Sequence, residues 1–178
     1  AALKPPMRPF VLLEVGYARV APFVERDLSS FVHDHLHATG QNSGFINNRP
    51  RALRCVHPLV TLLEKLDAIG RRFLRDDVEP ATFVRHYEDS YRIIKALDGL
   101  PALSRTPTEL ATEMVAQRQL RQLPDAADPG FTVADSPRWR AVASAHSDIQ
   151  LMFWGQRHSL ATCCSAIRAW TTAQLLDH

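Results

Sequence analysis

Two helical stretches place charged side chains where they could do chemistry. In "HPLVTLLEKLDAIGRRF" the apolar residues Leu59, Leu62, Leu63, Leu66, Ile69 and Phe73 recur at helical spacing. At 100° per residue Lys65 and Arg72 then project to one flank of that stripe, at its border, where both could reach into a groove. Asp67 and Arg71 point towards the far side. In "RHYEDSYRII" Arg85 and Asp89 are spaced as an i, i+4 pair with Arg92 near the same face, and His86 lies closer to the apolar stripe. Packing the two stripes together should bring the Lys65 border near the His86 flank. The same spacing also describes two amphipathic helices with solvated charged faces, and exposed pairs of that kind contribute little.

A second cluster, "HDHLH", holds His33, His35 and His37. A helix would put only His33 and His37 on one face and a strand would align all three, so two or three imidazoles could meet a metal. No cysteine completes a set and Asp34 points elsewhere in either geometry, so a polar helix end is the plainer reading. Ser159 reads as the N-cap of the last helix, because no glycine-flanked elbow surrounds it. Met152, Phe153 and Trp154 read as core or as a partner surface, and Cys163 and Cys164 as helix residues. The chain has no glycine-rich phosphate loop and no H-E-x-x-H.

The elements that must position these residues follow from pattern. "FVLLEVGYARV" from Phe10, after the helix-hostile "KPPMRP", reads as a strand carrying Glu14. "FVERDLSSFVHDHLHATG" has the apolar spacing of a short helix ending near Gly40. "RALRCVHP" reads as a second strand, and Pro58 suits the first turn of the helix that carries Lys65. After "RDDVEP", Phe83, Tyr87, Tyr91, Ile94 and Leu97 form the stripe of the next helix, which "DGLP" stops. Further helices are expected over Thr108 to about Leu123, Trp139 to about Phe153 and Ser159 to Leu176, with "PDAADPGFTVADSP" as a long loop. The expected fold class is mainly α (α+β), a helical domain with a small N-terminal β element.

Bulk composition bounds the rest. At 178 residues and 46% hydrophobic content, one well-buried domain spanning 1–178 is expected. Lys plus Arg number 21 against 19 Asp plus Glu, a net charge of +2, so any basic site must be local. Cys55, Cys163 and Cys164 show no metal-ligand spacing and suit reduced thiols, which points to the cytoplasm. No apolar run approaches the about 18 residues of a membrane span, and nothing at the start resembles a signal peptide, so a membrane partner is not expected.

Four blocks in order, "FVLLEVG", "VHPLVTLLEKLDAI", "FVRHYEDSYRII" and "DIQLMFWGQRHSLATCCSAIRAW", resemble the carboxy-terminal part of the nucleotidyltransferase AbiEii/AbiGii toxin family. The resemblance implies a nucleotidyltransferase-like fold and a toxin-antitoxin role, with Lys65 contacting nucleotide phosphates and Asp89 taking part in catalysis. It implies Glu14 as an acidic position on a strand, and Arg85 and His86 as phosphate contacts or supports, with Arg72 beside them. It also implies NTP and Mg²⁺ as cofactors, an antitoxin or a missing N-terminal half as partner, and RNA as a candidate acceptor. Chemistry of this kind needs an upstream Gly-Ser or Gly-Gly motif and an Asp-x-Asp pair holding two Mg²⁺ ions, and this sequence contains neither at a useful distance. The chain alone is therefore expected to be inactive, as the C-terminal portion of a longer or split enzyme. The alternative is a non-catalytic helical module that binds a protein partner.

Overall fold

The computed structural model describes residues 22–41, 44, 46–153 and 155–175. Glu14, the strand expected from Phe10 and Trp154 lie outside the described residues. Where one domain was expected, the chain divides into two compact units; among the described residues, one comprises 22–57 and the other 58–175.

In the smaller unit, β1 (Phe23–Arg26) pairs antiparallel with β2 (Leu53–Val56), Phe23 facing Val56 and Arg26 facing Leu53. Asp27 closes the pair by accepting from the Ala52 N–H at 2.9 Å, and the Arg54 guanidinium lies 4.8 Å from the Phe23 ring centroid. Between the strands, α1 (Phe31–Ala38) starts at Ser30, whose hydroxyl accepts from the His33 N–H. The single helix expected from Phe23 to Gly40 is thus corrected. Its first four residues are a strand, because the "RALRCVHP" segment gives them a ladder partner that helical spacing could not foresee.

The larger unit is helical. Its α2 (Pro58–Phe73) buries all six residues of the expected stripe, together with Val60. At roughly 1.5–3 kcal/mol for each large apolar side chain removed from water, this face contributes strongly to the core of the unit. A 3-10 turn, Pro80–Thr82, leads into α3 (Arg85–Ala96). Phe83 and Tyr87 are fully buried there, whereas Tyr91, Ile94 and Leu97 are only partly covered. Two polar residues, Glu88 and Ser90, are buried on the same helix.

The next helix, α4 (Pro107–Ala116), begins with a capping box in which the Thr106 hydroxyl accepts from Glu109 N–H and the Glu109 carboxylate accepts from Thr106 N–H. It ends seven residues before the expected Leu123, because Arg118 takes a left-handed conformation with φ 58° and turns the chain out of the helix. Leu120 and Phe131 are buried in the following loop, and Tyr87 Oη donates to Gly130 O at 2.8 Å. The fifth helix, α5 (Pro137–Asp148), also stops earlier than expected and passes into a 3-10 turn over Ile149–Met152. Ser159 caps α6 (Leu160–Leu175) by accepting from Thr162 N–H at 3.1 Å, as the sequence indicated. The helices α2 and α6 both pack on α3. Among the described residues no helix is long and apolar enough to cross a membrane.

Candidate functional site

Packing α3 against α2 brings four of the sequence-selected residues together. Lys65 Nζ donates to Asp89 Oδ2 at 2.8 Å and lies 3.5 Å from His86 Nδ1. From the next turns of α2, Arg72 Nη1 reaches within 3.4 Å of His86 Nε2 and donates to Thr82 O at 3.2 Å. His86 therefore stands between two cations, with the Asp89 carboxylate beside one of them. Arg85, exposed on the first turn of α3, adds a third positive charge that the ring feels. The expected Arg85–Asp89 pair is corrected: Asp89 turns to the lysine on the neighbouring helix. Lys65 and Asp89 are both largely covered, so their contact is partly shielded from water.

Burial, and then the charges of Lys65, Arg72 and Arg85, push the His86 imidazole down to about 4, with Asp89 opposing them. Near neutral pH the ring is uncharged and accepts at one nitrogen only. Both ring nitrogens, however, face groups that only donate. Whichever tautomer forms, one ring N–H points towards a cation's N–H, so the Lys65, His86 and Arg72 array is short of acceptors. An oxyanion placed among them would accept from the ring and from the cations together, which is what a phosphate oxygen does.

Metal binding is a separate question of donor sets. Asp89 is the carboxylate that this array holds, and it is engaged by Lys65. Among the described residues no group of three His, Cys, Asp or Glu side chains is placed to hold a metal ion. These residues do not fit the two-Mg²⁺ arrangement that the resemblance implies. His33 and His37 do share a face of α1, their ring centroids 6.1 Å apart, and among the described residues no third ligand completes a site.

Pattern reasoning passed over a second cluster on α3. The Glu88 carboxylate, fully buried, accepts from Arg92 Nη2 at 2.8 Å and from Arg157 Nε at 2.6 Å. Arg157 also donates to His146 O at 3.2 Å, and its guanidinium lies 4.5 Å from the Phe153 ring centroid. Arg92 reaches Gln156 O at 2.9 Å, and Tyr91 packs on His158 with ring centroids 4.2 Å apart. The segment before α6 is thereby fastened to α3, which fixes the helix that presents His86 and Asp89. The i, i+4 spacing of Glu88 and Arg92 was visible in the sequence, but a fully buried acid was not. Burial pushes both the Cys163 and Cys164 thiols up to about 12, so neither is a ready nucleophile.

No family model matches this chain, and no curated protein or solved structure matches it closely enough to carry an argument.

Proposed function

We propose that this chain supplies the cationic, acid-bearing part of a nucleotidyltransferase site of the AbiEii/AbiGii type, in a toxin-antitoxin setting. The observation that carries the reading is the convergence of Lys65, Arg72, His86 and Asp89 from two helices, with an acceptor deficit at its centre. Lys65 has three donors, so it can hold Asp89 and a phosphate oxygen at once. Arg72 and Arg85 add charge against a polyphosphate, and neutral His86 donates or accepts according to the oxygen presented to it. In this reading Asp89 would orient or deprotonate an attacking hydroxyl, with RNA a candidate acceptor. The metal-holding carboxylates of such an enzyme are not supplied by the described residues.

Isothermal titration with a nucleoside triphosphate tests the reading. Lys65→Ala should lower affinity at least tenfold, whereas Asp89→Asn should raise it or leave it unchanged as a negative charge is lost. The chain alone, with NTP and Mg²⁺, should transfer no label. Wild-type and Lys65→Ala chains of equal nucleotide affinity would sink the proposal.

A second reading, a protein-interaction module, draws on the smaller unit. There α1 buries none of its residues, and Phe31, Val32 and Ile46 are 95%, 69% and 92% exposed. Wild-type chain without nucleotide affinity would favour it.

A further inference from the structure

The other border of α2 carries a second cationic feature. Arg71 projects about 100° around the helix from Arg72. With Arg118 and Arg121 it lines a cleft of about 430 Å³ where the loop after α4 meets α2. At its edge Asp67, its side chain 9% exposed, accepts from Arg71 Nε at 3.4 Å and from the Arg121 backbone N–H at 3.0 Å. That carboxylate thus holds the loop in place and balances one guanidinium. Among the described residues no carboxylate lies within ion-pair distance of the Arg118 or Arg121 guanidinium, although Asp128 feels the Arg121 charge. The cleft is left with more positive than negative charge.

The residue at the turn sharpens the point. After Gln117 caps α4, Arg118 sits at φ 58°, while Gln119 N–H donates to Met114 O at 2.8 Å and Arg118 N–H to Val115 O at 2.9 Å. This left-handed position after a helix is the one glycine fills most readily, because a Cβ there crowds the backbone. An arginine is a poor choice for the turn alone, and here its side chain lines the cleft.

The extent of the positive surface limits what could bind. Arg121 also lines an adjoining cleft of about 460 Å³ that contains Asp125 and Asp128. A strand of phosphodiesters running on past Arg121 would meet those carboxylates. We infer that Arg71, Arg118 and Arg121 form a second anion site for one compact phosphate group, such as a phosphate monoester or pyrophosphate, separate from the Lys65 array.

The experiment uses the full chain carrying Lys65→Ala, so that the first anion site is weakened and the two readings fail separately. Amide resonances are followed by NMR at low ionic strength while inorganic phosphate, pyrophosphate or a single-stranded oligonucleotide without terminal phosphate is added. Pyrophosphate should shift Arg118, Gln119 and Arg121 in a saturable way, and the oligonucleotide should not displace it. Arg118→Gly relieves the strained φ, so its Tm should rise by a few degrees while pyrophosphate affinity at this cleft falls at least tenfold; Arg121→Gln should weaken binding similarly. No saturable shift, unchanged affinity in both variants, or displacement by the oligonucleotide would each overturn the inference.

Discussion

The fully buried carboxylate of Glu88 on α3 accepts from Arg157 Nε at 2.6 Å, an ion pair closed across 69 residues of sequence. Removing one partner of a buried pair leaves a charge without compensation and typically costs about 3–5 kcal/mol. Arg92 remains within reach of Glu88, so Arg157→Met should fall at the lower end, about 3 kcal/mol by urea unfolding. Glu88→Leu combined with Arg157→Met should recover much of that loss. A cost below about 1 kcal/mol for Arg157→Met would show that the pair is not a fastener.

Stability should fall in two acid windows. His86 titrates at about 4 in the fold against an ordinary 6.5, so between those values the unfolded chain binds more protons than the folded one. Stability is fully present above pH about 6.5 and declines as pH falls towards about 4. Burial and Arg157 also hold His146 below its ordinary value, and it contributes in the same direction. His86→Gln should flatten the slope in that window, as measured by urea midpoints at stepped pH, and an unaltered slope would refute the assignment.

The lower window belongs to Glu88. Burial pushes its carboxyl up, but the hydrogen bonds from Arg92 and Arg157 outweigh it and leave the group below its ordinary value. Its contribution is present above about pH 4.5, the ordinary value, and is lost as pH falls through the folded one. Glu88→Gln should flatten the pH dependence in this lower window, and the same midpoints read at lower pH check it.

Gly70 tests how tightly the loop before α5 is seated. A Cβ there would lie 2.5 Å from Asp128 Oδ2, and Asp128 is anchored by the Gly130 N–H donating to its Oδ1 at 2.7 Å. In an exposed helix Gly→Ala gains about 1 kcal/mol from propensity. Here Gly70→Ala should destabilise by about 1–2 kcal/mol. With Asp128→Ala present, Gly70→Ala should become neutral or stabilising, and a double-mutant cycle by thermal unfolding measures the coupling.

Arg138 closes the carboxyl end of α2. Its guanidinium donates to Arg72 O and Val78 O at 2.9 Å each and to Phe73 O at 3.0 Å. Arg138→Met should cost about 2–3 kcal/mol in chemical unfolding, since several helix-end and loop carbonyls lose a charged donor. Arg138→Lys should recover only part, because a single ammonium cannot reproduce the planar fork.

The sequence by itself determined the face of α2. Six apolar residues at helical spacing admit one buried stripe, and that periodicity placed Lys65 and Arg72 on a common border. It also fixed where α6 begins, since Ser159 before an apolar run is a local capping signal that needs no tertiary partner. Phe23–Arg26 was different. Four residues have similar apolar spacing in a helix and in a strand, and only the ladder with Leu53–Val56 decided between them. The early end of α4 depended on a backbone conformation that arginine seldom adopts, so its residue type gave no stop signal.

The same division governs the charged residues. Spacing offered Asp89 a partner four residues back on its own helix, whereas the fold gave it Lys65, 24 residues away. Periodicity tells which side of a helix meets the core but not which neighbouring helix lies against its border. That depends on the packing of α3 on α2. Glu88 is the sharpest case: its burial needs Arg157, delivered by a segment that only tertiary packing brings to α3, because an acid leaves water only where fixed donors replace its hydration.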